Sequence, residues 1–394
     1  MSKKVILAFS GGLDTRFCLV WLREGGYDVV SVYVNTAGIS SRKCKEIEEC
    51  AYNLGAVKHY TIKAEDDFFK KIIVYLIKGH GLYQNIYPQL CSDRYIIVEK
   101  CIEVADIESA GCIAHGCTAM GNDQVRFDLS IKAKGNYQII SPIRQIQDEV
   151  DGRIRLYEIG YLRERGFDVP SEHRKYSINQ NILGTTISGS EIDEFEEPSE
   201  GAFFLTKDCL VKPPLHLEIG FDEGEPVSIN GKRMKGAAIL KILNKLAGSY
   251  GIGRFIYTGD CIIGIKGRIA FECPGLYSLL IAHRALEEAV LTKEQNQFKD
   301  IISQKWAHLV FSALYYEPLR EDLEVLIDNM QKKVSGRVRI KLSNGNVLPV
   351  GYKSDYVLKE VKTLYAQSAS WGSTEAEGFI RLFGMSSILA TLRE

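Results

Sequence analysis

The sequence predicts an α/β protein in three parts: a doubly wound parallel sheet over residues 1–168, an α+β domain over 169–358 and a helical arm over 359–394. Three observations predict this. Short β-branched runs alternate with longer amphipathic ones as far as Arg165, the pattern of βαβ units and a parallel sheet. Hairpin-like alternation followed by helical periodicity fills the middle of the chain. The C-terminal stretch holds Phe379, Ile380, Leu382, Phe383, Ile388 and Leu389, more apolar groups than a free tail carries.

In the first part, strands are expected at 5–9, 29–34, 59–62, 112–114 and 138–140, with helices at 17–23, 44–54 and 68–77. Near residue 170 the character changes. The stretch 171–214 is rich in Ser, Gly, Thr, Glu and Pro without clear periodicity, and reads as a linker and active-site loops. Beyond it, strands are expected at 215–219, 226–229, 254–257, 262–265, 269–272, 336–340 and 347–351. Helices are expected at 237–250, 276–291, 299–313 and 319–332.

With 394 residues, 45% hydrophobic and 25% charged, the composition is that of an ordinary globular protein of two or three domains. Such a chain buries enough surface to fold without a disulfide or metal staple. Lys plus Arg total 49 against 50 for Asp plus Glu, so the basic excess that holds a nucleic-acid backbone is lacking. The ten cysteines show no CxxC pair and read as reduced thiols. The apolar run at 5–9 is too short for a secretion signal, and no stretch approaches a membrane span. A cytoplasmic location with no membrane partner is therefore expected.

Ser10-Gly11-Gly12-Leu13-Asp14-Thr15 follows the first strand and opens the first helix. Unpaired N–H groups and the dipole at a helix N-terminus make an anion site, and glycines let a phosphate approach closely. The loop is neither GxxxxGK[ST] nor GxGxxG, so P-loop and dinucleotide-binding readings lack their residues. The competing reading is a plain turn with Asp14 or Thr15 as N-cap. Residues 115–123 follow another expected strand and fall at the carboxyl edge of the sheet, where open α/β folds bind ligands. There Thr118, Asn122 and Asp123 supply a hydroxyl, an amide and a carboxylate. Asp123 can pair with an ammonium while the other two donate to a carboxylate. The competing reading is a turn with Asn122 or Asp123 as N-cap of the next helix.

The order SGGLDT after an N-terminal strand resembles the loop of the N-type ATP pyrophosphatases, which split ATP between its α and β phosphates. His115-Gly116-Cys117-Thr118-Ala119-Met120-Gly121-Asn122-Asp123-Gln124-Val125-Arg126-Phe127 is very similar to the HGCTGKGNDQVRF motif of the argininosuccinate synthase family. Tyr176-Ser177-Ile178-Asn179-Gln180-Asn181 resembles that family's YSxDEN, and similar segments at 251–254, 263–268 and 376–380 extend the resemblance over essentially the whole chain. It implies an ATP-dependent, AMP-forming carbon–nitrogen ligase with ATP and Mg²⁺ as cofactors. A citrulline-like acceptor would be adenylated and joined to the amine of aspartate. The resemblance also implies that the middle part is a synthetase and multimerisation domain, and that the arm joins a homo-oligomer, a tetramer or a dimer.

By the same resemblance ATP would meet Ala8, Phe9, Ser10, Gly11, Gly12, Leu13, Asp14, Thr15, Arg16, Asn35 and Gly116. Aspartate would meet Thr118, Asn122 and Asp123, and the acceptor Tyr87, Ser92, Asn122, Arg126, Ser177 and Thr186. Ser10, Asp14 and Asp123 are the expected catalytic residues, and no dedicated protein cage for the metal is implied.

The chain departs from the family at several of these places. Arg16 stands where a serine or threonine follows SGGLDT, Ala119-Met120 replace Gly-Lys, and Asp93-Arg94-Tyr95-Ile96 replace LARP. Arg16 would grip pyrophosphate or point to water. Gly259 and Phe271 align with a glutamate and a tyrosine that address citrulline's amino-acid end, with Asp260 or Glu272 as substitutes if the alignment slips. These departures keep open a non-citrulline acceptor or a nucleotide-binding protein with impaired turnover. Cys91 and Cys117 would serve a thiol-transferring relative but read better as buried hydrophobes. His80 and His115 read as loop and core histidines, and the acidic stretch 191–200 as a solvated loop.

Overall fold

In a computed structural model, residues 3–150, 153–167, 169, 175–207, 209, 212–360, 363–365 and 367–393 are described. Part of the 171–214 stretch and the boundary expected at 168 therefore lie outside the described residues. The chain divides into a unit spanning Met1–Asp355 and a second spanning Tyr356–Glu394.

The first unit opens with β1 (Lys3–Ala8), α1 (Leu13–Glu24), β2 (Tyr27–Asn35), α2 (Ser41–Asn53) and β3 (Lys58–Lys63). A broken helix follows as α3 (Glu65–Phe68), a π turn (Phe69–Ile73) and α4 (Val74–Gly79). Next come α5 (Asp93–Ile107), β4 (Cys112–Ala114), α6 (Asn122–Lys134), β5 (Gln138–Ile140), α7 (Pro142–Ile146) and α8 (Ile154–Glu164). The five strands are all parallel in the order β3-β2-β1-β4-β5. Val5, Ile6 and Leu7 are fully buried because helices cover both faces of the sheet.

The rest of the unit holds two antiparallel sheets. β6 (Ser177–Asn181), β7 (Gly184–Ser188), β11 (Arg254–Asp260) and β12 (Lys266–Glu272) order as β11-β12-β7-β6. β8 (Leu215–Asp222), β9 (Glu225–Ile229), β10 (Lys232–Arg233), β13 (Gly336–Ser343) and β14 (Asn346–Lys353) order as β10-β9-β8-β13-β14. α9 (Gly236–Gly248) and α10 (Pro274–Val290) pack with them, while α11 (Lys293–Phe311) and α12 (Pro318–Gln331) pack on each other and on α4.

Two expectations fail here. The stretch read as linker and loops contains β6 and β7, and β7 is a central strand with Ile187 fully buried. Thr186 and Ser188 face a cavity and Thr185 is a polar residue on the buried face, which erased the apolar alternation by which strands are read. The strand expected at 262–265 is the turn of the β11–β12 hairpin: Cys261 N–H donates to Ile265 O at 2.8 Å, Gly264 has φ +89°, and Ile263 and Ile265 are exposed. Glu191 is more than a solvated acid, since it accepts from the Tyr176 hydroxyl at 2.5 Å and Ser199 N–H at 3.0 Å.

The second unit carries α13 (Ser373–Phe383) and α14 (Met385–Thr391), neither with a buried residue. Phe379 and Phe383 stack 4.9 Å apart on the exposed apolar face. No helix among the described residues is long and apolar enough to cross a membrane.

Candidate active site

The parallel sheet reverses its winding between β1 and β4, so the loops leaving these neighbouring strands diverge and open a cleft at their carboxyl ends. One loop is 9–12 and the other 115–121. The cleft measures about 650 Å³ and is lined by Ser10, Gly11, Gly12 and Thr15 on one side and Tyr33 and Val34 of β2 on another. The N-cap of α1 is Gly12, and no side chain caps it, so neither Asp14 nor Thr15 takes the capping role considered above. The first N–H groups of α1 are thus left for a ligand. Gly11 sits at φ +75°, a left-handed conformation that glycine adopts without strain. The loop is braced by its own side chains: Ser10 Oγ accepts from Gly12 N–H at 3.3 Å, and Thr15 Oγ1 donates to Gly12 O at 3.1 Å. Arg16 is half-buried at the cleft, with its Nε donating to Gly11 O at 2.8 Å.

Ala8, Phe9 and Gly116 also line this cleft. Leu13 packs into the core beneath the sheet, and Asn35 is buried with its amide bonded to the backbone of Ile39 in both directions, so these two shape the cleft without lining it. Met120 is exposed.

A second cavity of about 380 Å³ lies against the first. Its floor is one face of the β11-β12-β7-β6 sheet. Side chains alternate across a strand, and the register places Asn179 opposite Thr186 and Ser177 opposite Ser188. Tyr257, Gly259, Gly267 and Ile269 continue that face on β11 and β12. Facing it are Tyr87, Thr118, Asn122, Asp123 and Arg126. The structure therefore brings together every expected aspartate residue and all expected acceptor residues but one. Ser92 is buried and its hydroxyl donates to Gln89 O at 2.7 Å, off the cavity. Asn122 is not an N-cap side chain either: Gly121 caps α6, and Asn122 Oδ1 accepts from Ile262 N–H at 3.0 Å, pinning the β11–β12 turn.

Asp14, Gly116, Cys117, Asp123 and Asn179 line both cavities and so form the boundary between them. Asp123 is held between two guanidiniums. Its Oδ1 accepts from Arg126 at 2.8 Å and its Oδ2 from Arg94 at 2.9 and 3.1 Å. Burial pushes its pKa up, and the two arginines reverse this, leaving the carboxyl below its ordinary range.

Asp14 is reached by solvent through the cleft, yet its buried side meets Glu158 of α8, a residue 1% exposed whose Oε1 has no hydrogen-bond partner. Burial, and then Asp14, push the Glu158 pKa up to about 9, with Arg155 opposing; burial also raises Asp14. A folded pKa raised above the unfolded value gives stability that is lost as pH rises, here between about 4.5 and 9. Glu158→Gln should therefore stabilise the protein by up to about 4 kcal/mol at pH 8 and by less than about 1 kcal/mol at pH 5. Thermal melts at both pH values check this, and an equal shift at the two would show that ionisation is not the cause.

Neither Cys91 nor Cys117 is activated. Burial raises the thiols of Cys91 and Cys117, and Cys91 Sγ accepts from the Tyr87 hydroxyl at 3.4 Å. A thiolate nucleophile is disfavoured at both. His115 is a core histidine bonded to Asp128 at 2.8 Å. His80, His283 and Glu287 cluster elsewhere, but the histidines bond each other at 2.8 Å and Lys299 already supplies a cation to Glu287.

The structure also settles the two lost acceptor contacts. Glu272 is fully buried and accepts four N–H or O–H bonds from residues 204–206, so it is not available to a substrate. The Phe271 ring is buried, edge-on to Tyr87 and stacked on Phe255. A side chain at Gly259 would collide with Tyr257 and Gln84. Gln84 occupies that space, accepting from the Tyr257 hydroxyl at 2.7 Å and donating to Asp260 at 2.6 Å. Asp260 is thus the carboxylate at this end of the cavity. Sequence reading did not single out Gln84, Asn179 or Glu158 as site residues; Asn179 carried a signal in the YSxDEN-like segment, and Glu158 as an acid on an otherwise core-facing position of a helix.

Two family models match the chain, the arginosuccinate synthase N-terminal HUP domain over residues 4–167 and the arginosuccinate synthase C-terminal domain over 176–390. The chain belongs to the argininosuccinate synthase family. Its similarity to individual members runs end to end. It is 48% identical to the argininosuccinate synthase of Xylella fastidiosa over 390 residues, covering 98% of this chain and 97% of that one. It is 48% identical to that of Xanthomonas campestris over 390 residues, covering 98% of each. It is 38% identical to that of Methanocaldococcus jannaschii over 398 residues, covering 100% and 99%.

Proposed function

We infer that this protein is an argininosuccinate synthase: an ATP-dependent carbon–nitrogen ligase that joins citrulline to aspartate and releases AMP and pyrophosphate. The observation that carries the site reading is the shared wall of the two cavities, because the acceptor oxygen and the α-phosphate must meet at one point. The ureido oxygen of citrulline attacks the α-phosphorus and pyrophosphate leaves. The amine of aspartate then attacks the activated carbon, AMP departs with the carbon–oxygen electron pair, and a proton is released to water.

The residues fit this order. The uncapped start of α1 and the 10–12 loop suit the leaving pyrophosphate. Among the 10–15 loop side chains Asp14 is the carboxylate; a magnesium ion bound with ATP would neutralise phosphate charge beside it. Thr118 and Asn122 suit the carboxylates of aspartate, while Asp123, already paired with two guanidiniums, orients the donor pocket more than it supplies free negative charge. The reading is tested by incubating the protein with ATP, citrulline and aspartate. Sustained turnover to AMP, pyrophosphate and a new mass should require both amino acids, whereas citrulline alone should support exchange of pyrophosphate into ATP. ADP plus phosphate would overturn it.

For the acceptor's amino-acid end, Asp260 and Gln84 stand in for the family glutamate. Asp260→Ala is expected to raise the KM for citrulline about tenfold with the KM for ATP unchanged. An unchanged citrulline KM would show that the ammonium is read elsewhere, and would favour an acceptor other than citrulline.

The exposed apolar face of α13 and α14 suits a second copy of the chain, giving a dimer or tetramer in a cytoplasmic enzyme. Truncation after Glu377 should reduce the mass measured by light scattering at micromolar concentration. Unchanged assembly would place the interface elsewhere.

A further inference from the structure

We propose that Arg94 is a further catalytic residue, whose guanidinium neutralises the α-phosphate in both steps of the reaction. This rests on the functional reading above. Arg94 stands in the second position of α5, and three elements lock it in place. Its Nη1 donates to Asp93 Oδ1 at 2.7 Å, its Nε and Nη2 to Asp123 of α6, and its Nη2 also to Asn179 Oδ1 of β6 at 2.9 Å. Asp93 is itself buried and accepts from the Thr36 hydroxyl, at the end of β2, at 2.9 Å. The side chain is 12% exposed. A guanidinium has five N–H groups. Four are engaged, and the fifth, on Nη1, has no partner among the described residues.

Its position matters as much as its rigidity. Arg94 lines the nucleotide cleft, and two of its three partners, Asp123 and Asn179, belong to the wall shared with the second cavity. The α-phosphorus must sit at that wall, since it bonds to the nucleotide on one side and to the acceptor oxygen on the other. Of the other cations lining the cleft, Arg16 is anchored to the 10–12 loop through Nε on Gly11 O and Lys43 pairs with Glu46 at 2.9 Å; neither bonds a residue of the shared wall. Arg126 faces the second cavity and spends its donors on Asp123 and Phe311 O. Arg94 is thus the cation held where charge is redistributed, on forming the phosphorus–oxygen bond to citrulline and again when AMP departs. A donor fixed in advance costs no reorganisation at that moment.

The experiment compares wild type, Arg94→Lys and Arg94→Gln. It follows citrulline-dependent exchange of pyrophosphate into ATP without aspartate, AMP release with aspartate, and thermal melting. Arg94→Gln is expected to lower kcat about a hundredfold or more in both assays, with KM for ATP and aspartate changed less than about threefold. Arg94→Lys keeps the charge and the carboxylate partners, so it should fold like wild type. It lacks the planar fork and should recover only part of kcat. A kcat within threefold of wild type in the glutamine variant overturns the proposal. So does a loss confined to the KM for aspartate, which would make Arg94 a mere support of Asp123. If Arg94→Gln fails to fold, the lysine variant decides: wild-type kcat there overturns the proposal. A wild type that forms no AMP overturns the functional reading and this proposal together, whereas an active wild type with an unaffected variant overturns this proposal alone.

Discussion

Replacing Asp14 by Ala is expected to lower AMP formation by about a hundredfold or more while leaving the melting temperature unchanged or slightly higher. Asp14 stands in the wall shared by the two cavities and follows the loop whose N–H groups are left for phosphate. Its loss removes the one loop carboxylate beside the reacting centre. For the fold it contributes little: it caps nothing, solvent reaches it, and an acidic group in the first turn of a helix is worth roughly 0.3–1 kcal/mol. Against that, its carboxyl crowds the Glu158 carboxyl, so removing it relieves a repulsion. Activity and melting measured on the same preparation separate the two roles. Parallel loss of both would make Asp14 a structural residue.

Glu272→Ala should do the opposite, costing about 4 kcal/mol or more of stability and taking activity with it. The Glu272 carboxylate is fully buried and accepts from the N–H groups of Phe204, Leu205 and Thr206 and from the Thr206 hydroxyl, at 2.6–3.0 Å. Thr206 in turn accepts from Arg254 Nε at 3.0 Å, tying β11 to the same knot. Truncation strands several buried donors at once, each worth roughly 1–3 kcal/mol when left unpaired. β12 then loses the anchor that sets the floor of the acceptor cavity. Urea denaturation of Glu272→Ala and Glu272→Gln checks this, the amide being expected to retain part of the knot. A cost below about 1 kcal/mol for the alanine variant would mean that the 204–206 segment finds water instead.

Much of the parallel sheet was legible. Val5 to Phe9, Val29 to Val34 and Cys112 to Ala114 are largely apolar runs rich in β-branched residues between turn signals, and a strand covered on both faces needs little else. The 10–15 loop was legible too, because its glycines and its place after a strand are local facts. β6 and β7 were not. Asn179, Thr186 and Ser188 belong to strands whose exposed face is a binding cavity, so the very residues that serve the site remove the pattern that marks a strand. At 262–265 the error ran the other way: isoleucines that read as a strand lie on an exposed turn held by Asn122.

By itself the sequence determined which groups are on offer: a glycine loop at the end of β1, the 115–127 motif at the end of β4, and departures from the resembled family at Gly259 and Phe271. Such signals are short stretches of neighbouring residues, and spacing along the chain preserves them. Only the tertiary structure decided how those groups are used. It withdrew Glu272 from the substrate by wrapping it in backbone N–H groups, filled the space above Gly259 with Gln84, and set Arg94, Asp123 and Asn179, far apart in sequence, into one hydrogen-bonded wall between two cavities. The reason is physical: hydrogen bonds and burial act over a few ångströms of space, and residues as distant as Arg94 and Asn179 become neighbours only when the sheets that carry them pack together.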